Sequence, residues 1–499
     1  MTRATISTVT LLAAATLLAG PAHADPMNYQ RYVIGERSLG MAGAYTAAVD
    51  DPMALYYNPG ALPFADAAAV SASKSVYGAD KRTIQNGFVP NFGKAVDAKD
   101  LDTTDDLTWP STLTLTIGFG KKRPKGGGVR HAIGFAMLVP NQESSQYRAK
   151  YKGATGGFPD TETFFLSESY RTVWTGVAYA FKPTKRWGFG LAGYFSNYNY
   201  TRRLDTNTFD PPDDTSACGD AGCGDLDAVE SMLRIKVNSL IFRLGVLWAP
   251  TKHWRVGLAV TSPSIFLRRV SNGSLDQTFG VAAVQDPAAA SARLYTDDYT
   301  LKVAGYEPTA ITLGVAAMIE DRFTADLDAS FHFPVSYSRI QGDPVAARAA
   351  IDATASPEWF DKGVVRRVDR GPVCNVNLGG EFLFKYGITV RTGVFTDFSA
   401  APDVVPSATP QLTHVTRLGG TLSLGHKGDD HDITIGVIGT YGAGEASVYN
   451  PPSTLADGEL PFQPERYSES TIFVFVAGVQ KAFATKAEEF LDKIVDGQK

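Results

Sequence analysis

The sequence predicts an all-β protein, a 14-stranded antiparallel transmembrane β-barrel plugged by an N-terminal hatch. Three observations carry this expectation. From Ala65 onward, apolar and polar residues alternate with period two through segment after segment. The spacers alternate between short polar turns and long polar loops, as in barrels whose turns lie on one side of a membrane and whose loops lie on the other. Ahead of the strands sits a Gly- and Ala-rich stretch, Gly35–Leu62, whose small residues suit tight packing inside another structure.

Residues 1–24 read as a secretory signal. Arg3 supplies the positive start, and Leu11 to Ala19 supply an apolar core too short to span a bilayer. Ala22-His23-Ala24 is a small-x-small cleavage pattern, so the mature chain is expected to begin at Asp25. Losing Arg3 moves the formal charge from −5 to −6 (46 basic minus 52 acidic residues). That mild acidity argues against nucleic acid as a partner. Past the signal there is no run of about eighteen apolar residues, so no membrane helix is expected.

Residues 25–64 are the predicted hatch. The segment holds Gly40 and Gly43, the acidic pair Asp50 and Asp51, and the closing turn Asn58-Pro59-Gly60. A buried, unpaired charge is costly, so the two acids call for cations on the lumen side of the barrel. The glycines permit backbone conformations that other residues resist, which suits a gate as well as close packing.

Residues 65–484 are the predicted barrel. The strands are placed at 67–78, 111–121, 130–140, 163–182, 186–203, 229–249, 253–271, 296–320, 323–339, 363–384, 386–398, 412–426, 431–448 and 468–483. An even count returns both ends of the chain to one side. Unpaired edges are not tolerated in hydrocarbon, so the sheet must close. Alternation assigns the faces. Leu327, Phe331 and Phe333 lie opposite Asp326, Asp328, Ser330 and His332, which puts the two aspartates in the lumen. Ile388, Val390 and Val394 lie opposite Arg391, while Leu418, Leu422 and Leu424 lie opposite Arg417. Arg391 and Arg417 are therefore the first candidates to pair with the hatch acids. Arg243, Arg234 and Lys236 are weaker ones, because the alternation slips near Ser239, and Glu381 completes the lumen-facing set. Residues 485–499 form a tail in which Ala487, Phe490, Leu491 and Ile494 recur at helical spacing, read as a short periplasmic helix.

No motif points to catalysis, a metal or a cofactor. Gly188-Phe-Gly-Leu-Ala-Gly193 matches a dinucleotide fingerprint, but strand follows it where a helix is required. Glycines making room for the plug explain it better. His426-Lys-Gly-Asp-Asp-His-Asp432 holds possible metal ligands within a solvated turn. Cys218 and Cys223 lie five apart in a Gly-rich loop of an exported chain, so a local disulfide is expected. Cys374 sits in a strand, on its apolar face.

Several of these segments resemble the FadL/TodX family of outer-membrane transporters for hydrophobic compounds. The hatch resemblance rests on Gly40-Met-Ala-Gly-Ala-Tyr-Thr-Ala-Ala-Val-Asp-Asp51 followed by Asn58-Pro59. Downstream, Trp187 to Gly193, Gly305 to Val315, and Arg391 to Asp397 with Ala401-Pro402 are similar to family strands in the same order. The resemblance implies a monomer in the bacterial outer membrane, in contact with its lipid and lipopolysaccharide and inserted by the barrel-insertion machinery. It implies uptake of hydrophobic molecules, such as long-chain fatty acids or aromatic hydrocarbons, by diffusion through a hatch-gated barrel. The outer loops would collect the ligand, the start of the hatch would line the pocket, and release would run sideways into the bilayer. Two departures stand out. Gly60 replaces the alanine usual after Asn-Pro, and Gly478 to Phe483 carries Lys481 where an apolar residue is expected and is followed by a tail. A general porin, or a structural barrel without ligand specificity, is the alternative reading.

Overall fold

A computed structural model describes residues 27–480, apart from 31–32, 66–67, 91–96, 107–111, 121–130, 154–160, 211–224, 284–290, 296–300, 320–321, 342–347, 350–366, 451–454 and 457. The signal segment, Cys218, Cys223 and the C-terminal tail lie outside the described residues.

Fourteen strands form the barrel wall. They are β1 (Ala68–Phe88), β2 (Thr112–Phe119), β3 (His131–Lys152), β4 (Thr161–Phe181), β5 (Trp187–Asp210), β6 (Asp225–Trp248) and β7 (Trp254–Thr261), followed by β8 (Ala310–Ile319), β9 (Phe323–His332), β10 (Val373–Leu383), β11 (Ile388–Asp397), β12 (His414–Lys427), β13 (His431–Tyr449) and β14 (Phe462–Gln480). Each pairs antiparallel with the next. The ladder from Val70↔Gln480 to Ile84↔Tyr467 joins β1 to β14 and closes the sheet. Closure leaves no edge strand, as a sheet in hydrocarbon requires.

The outward face is apolar where it would meet lipid. Val177, Leu191, Leu244, Leu327, Leu378, Val394, Leu422 and Ile435 are 48–63% exposed. Cys374 also faces outward, on β10. A continuous band of this kind suits contact with hydrocarbon rather than water.

The strands differ in length from the expected ones, for two physical reasons. First, β3 to β6 run for 22, 21, 24 and 24 residues, about twice what a bilayer needs. Much of the expected loop sequence is strand that continues beyond the apolar band. There the outside is polar, and Asn141 to Gln146 interrupt the alternation before it resumes with Tyr147, Ala149 and Tyr151 on the buried side. Second, β7 to β10 are only 8, 10, 10 and 11 residues long. Pro263, Pro308, Pro334 and Pro372 stand at or just beyond their ends on the long-loop side. Proline cannot donate to a ladder, so these four strands stop short of the ranges expected for them.

The slip expected near Ser239 is a change of environment and not of register. On β6, Leu233, Ile235, Val237, Ile241 and Arg243 all point inward, while Arg234 and Lys236 are exposed. Past the apolar band the outside meets water, and the inside is an apolar cluster of Tyr198, Tyr200, Leu233, Ile235 and Val237. Polarity inverts while the parity holds. Arg234 and Lys236 are thus removed from the lumen candidates.

Candidate functional site: the hatch and the lumen

The hatch occupies the barrel interior. Helix α1 (Arg37–Gly40), helix α2 (Ala54–Tyr57) and a 3-10 turn (Pro59–Phe64) are the ordered pieces between extended turns. Leu39, Met41, Met53, Leu55 and Leu62 are fully or almost fully buried. Met41, Met53, Leu55 and Leu62 cluster with small wall residues, among them Ala132, Ala136, Ala180 and Ala192, and with the rings of Trp174 and Tyr194, whereas Leu39 clusters with Phe395, Ile438, Phe473 and Phe475.

Glycine makes the closest approach possible. A Cβ on Gly188 would lie 2.1 Å from the Gly60 carbonyl oxygen, and one on Gly190 would lie 2.3 Å from the Pro59 carbonyl carbon. A Cβ on Gly60 itself would meet the Gly245 carbonyl oxygen at 2.7 Å. Two of the glycines in the fingerprint-like run therefore serve packing, and the third, Gly193, meets only the edge of the Phe242 ring. Gly60 is the residue this contact demands. Gly43 differs, with φ at +76°, a conformation that favours glycine. Asn58 anchors the same turn. Its amide donates to the Thr46 and Val246 carbonyls at 3.0 Å each, and its oxygen accepts from the Gly60 N–H at 3.1 Å.

Lumen carboxylates hold hatch backbone. Asp328 accepts from the Tyr45 and Thr46 N–H groups at 2.8 and 2.9 Å. Asp326 accepts from Ala47 and Ala48 at 3.1 and 2.7 Å. On β11, Asp397 accepts from Tyr29 and Gln30 at 3.1 and 3.0 Å. Asn377 and Thr421 donate to the Ala42 and Gly40 carbonyls at 2.7 and 2.8 Å.

The charged lock differs from the expected one. Asp50 pairs with Arg37, a residue of the hatch itself, and lies 3.9 Å from Arg255 of β7. Asp51 has no cationic partner among the described residues. It accepts from the Tyr45 hydroxyl and the Met53 N–H at 2.8 Å each. Arg391 is fully buried and binds Glu36 at 3.0 Å, Glu381 at 2.5 Å and Asp432 at 2.9 Å. Arg37 reaches the same Glu381 at 2.7 and 2.8 Å. Arg417 pairs with Asp397 at 3.4 Å and with Glu469. Arg243 donates to the Tyr57 carbonyl at 3.3 Å and lies over the Tyr56 ring. The hatch therefore offers Glu36 and Arg37 to wall groups of opposite sign in close contact, and Asp50 to Arg255 at longer range. The adjacent pair Glu36-Arg37 was the sequence signal for this, and the Asp50-Asp51 pair drew attention from it.

Burial tunes the hatch acids. It pushes the Glu36 carboxyl up to about 8 against the pull of Arg391. Burial, then the neighbouring Asp50 charge, lifts Asp51 to about 6. Burial also acts to raise Asp50, but Arg37 and Arg255 outweigh it and hold this carboxyl below the ordinary range.

Beside the hatch lies a cavity of about 140 Å³. Tyr29, Gln30, Tyr56 and Tyr57 of the hatch line it, with Trp174, Arg243, Asp328 and His332 of the wall. The Tyr29 and His332 rings stack at 4.0 Å. Glu307, between the wall strands, also lines it, and burial pushes this carboxyl up to about 7 against the charge of Arg370. Pro140 and Asn141 reach the cavity from β3, next to the point where the β3–β4 ladder breaks register between Leu138 and Asn141.

A closed fourteen-stranded wall around a buried N-terminal plug defines a class, the plugged membrane-spanning β-barrel. Within that class the fold is the FadL type. It is shared with a FadL homologue of Pseudomonas aeruginosa (13% identity, TM-score 0.56, covering 93% of this chain and 100% of that one). It is shared with the toluene transporter TodX of P. putida (14% identity, TM-score 0.50, 90% and 99% covered) and with the monoaromatic hydrocarbon channel CymD (11% identity, TM-score 0.50, 91% and 99% covered). No family model and no curated protein matches the sequence.

Proposed function

We propose that this chain takes up hydrophobic small molecules across a bacterial outer membrane, by diffusion through a barrel that its hatch gates. The observation that carries the reading is the lumen cavity, which is walled on one side by hatch residues. Two neighbours of the same fold are a toluene transporter and a monoaromatic hydrocarbon channel, which supports the same class of cargo. A general porin needs an open lumen, and this lumen is filled by Val33 to Phe64. Sideways release into lipid, near the break in the β3–β4 ladder beside Pro140 and Asn141, belongs to the same reading. Location in the outer membrane, a monomeric state, contact with lipopolysaccharide and insertion by the barrel machinery belong to the same reading.

The test ties the hatch to the wall. Gly43 faces Asn377, whose amide nitrogen lies 3.0 Å from a Cβ built at position 43. Gly43→Cys with Asn377→Cys, in a Cys374→Ser background, places a disulfide there. Cellular uptake of toluene and of oleate is compared with and without reductant. Restoration of uptake by reductant supports the gate. Equal uptake in both states refutes gating, and uptake of neither compound by the unmodified protein refutes the transport reading.

A further inference from the structure

The cavity beside the hatch is polar in a specific way. Gln30 Oε1, Asn141 Oδ1, Thr172 Oγ1, Trp174 Nε1, Arg243 Nε and His332 Nδ1 are all buried without a hydrogen-bond partner among the described residues. All six side chains line this one cavity. Asp328 adds a seventh atom, since its second oxygen holds the hatch while Oδ1 is unpaired. Thr172, Trp174 and Arg243 are each more than nine-tenths buried, so bulk water does not serve them. Buried polar groups are ordinarily satisfied, and a group of orphans around one hole marks the place of a missing partner.

Size restricts that partner. A cavity of about 150 Å³ accommodates benzene, and this one is about 140 Å³. One ring with a small substituent fills such a space, whereas an extended acyl chain would have to run out of it. The rings of Tyr56 and Trp174, 5.9 Å apart, give apolar contact for such a ring.

Hydrogen-bond sense restricts it further. Arg243 Nε and Trp174 Nε1 only donate. Gln30 Oε1 and Asn141 Oδ1 only accept. A hydrocarbon meets neither need. A carboxylate only accepts, so it can answer Arg243 and Trp174 but leaves Gln30 Oε1 and Asn141 Oδ1 unpaired. A hydroxyl both donates and accepts, and it carries no charge.

We propose that the hatch cavity is a binding site for a neutral, single-ring aromatic alcohol of the phenol class, held by the unpaired polar atoms of Asn141, Trp174 and Arg243. This rests on the uptake reading above and narrows its cargo. Sites built to bond a hydroxyl reject the analogue that lacks it, because the buried polar groups then stay unpaired.

The test measures equilibrium binding of p-cresol, toluene, p-toluate and oleate to the full chain in lipid nanodiscs. The expected result is p-cresol binding at least about tenfold more tightly than toluene or p-toluate, with the ratio over toluene reduced several-fold in Trp174→Phe. Trp174→Phe keeps a ring and removes the N–H, and unchanged unfolding temperature confirms that it folds. Toluene binding as tightly as p-cresol, or p-toluate binding more tightly, overturns the proposal and leaves hydrophobic uptake standing. A preference for p-cresol that survives Trp174→Phe and Arg243→Met alike also overturns it, since the named atoms then do not read the hydroxyl. Binding of none of the four overturns both readings.

Discussion

Glu381 is the joint between hatch and wall, and its removal is the sharpest test of the lock. Its two oxygens accept from Arg37 at 2.7 and 2.8 Å and from Arg391 at 2.5 Å. Glu381→Ala leaves two buried guanidiniums short of negative charge. Arg37 then keeps Asp50, and Arg391 keeps Asp432 and Glu36. The last of these is the weaker partner, because burial pushes the Glu36 carboxyl up despite Arg391. Removing one partner of a buried pair costs about 3–5 kcal/mol. If that cost falls on the docked state of the hatch, its undocked population rises roughly a hundredfold to several thousandfold, at about 1.4 kcal/mol per factor of ten. Single-channel recording in planar bilayers should then show frequent openings where the unmodified protein is nearly silent. A cysteine placed at Ala42, fully buried at present, should react with a water-soluble thiol reagent. Arg82→Met serves as control, since Arg82 pairs with Asp80, Glu143 and Glu469, all of the wall. Unchanged conductance and labelling in Glu381→Ala, or an equal rise in the control, would refute the lock.

Gly60→Ala should destabilise the plugged barrel by about 1–3 kcal/mol, because its new methyl would meet the Gly245 carbonyl at 2.7 Å and overpack the site; thermal unfolding in detergent reads this, and an unchanged midpoint contradicts it. Asp51 has a raised folded-state pKa, from 3.8 to about 6, through burial and Asp50. Its contribution is fully present below about pH 4 and is lost as pH rises through 6, a loss of order 3 kcal/mol at about 1.4 kcal/mol per unit. Unfolding measured from pH 4 to 8 should thus favour Asp51→Asn progressively over the unmodified protein, and a constant difference would show that Asp51 does not titrate in that window. Cys218 and Cys223 should be found joined by mass spectrometry without reductant, and two free thiols in purified protein would dismiss the bridge. The folded chain should fractionate with the outer membrane and shift its electrophoretic mobility on boiling, whereas recovery from the soluble periplasm would contradict the location proposed.

Period-two alternation was enough to place all fourteen strands in order and to assign Arg391, Arg417, Asp326 and Asp328 to one face, because a strand in a bilayer has one apolar side and the pleat does the sorting. The rule lost its power where the environment changed. Past the apolar band, β3 to β6 continue through water with a polar outer face, so strand looked like loop where Asn141 to Gln146 interrupt the pattern, and on β6 the inside became the apolar side. The composition of Gly35–Leu62 was legible as a plug because only small residues permit contacts as close as those of Gly188 and Gly190 with Pro59 and Gly60.

Which charges meet was not legible. Periodicity says that Arg391 faces inward, but a plug has no period, and its path through the lumen decides whether Asp50 or Glu36 arrives beside that arginine. Only the folded chain brings Glu36 to Arg391 and Arg37 to Glu381, across separations of 355 and 344 residues. The cavity is of the same kind. Gln30, Asn141, Trp174 and Arg243 are unremarkable in sequence, and their unpaired atoms acquire meaning only when barrel closure and hatch docking turn them toward one small space. Local alternation is a property of each strand alone, whereas charge pairing and cavity shape belong to contacts between distant segments, which the sequence encodes only through the complete fold.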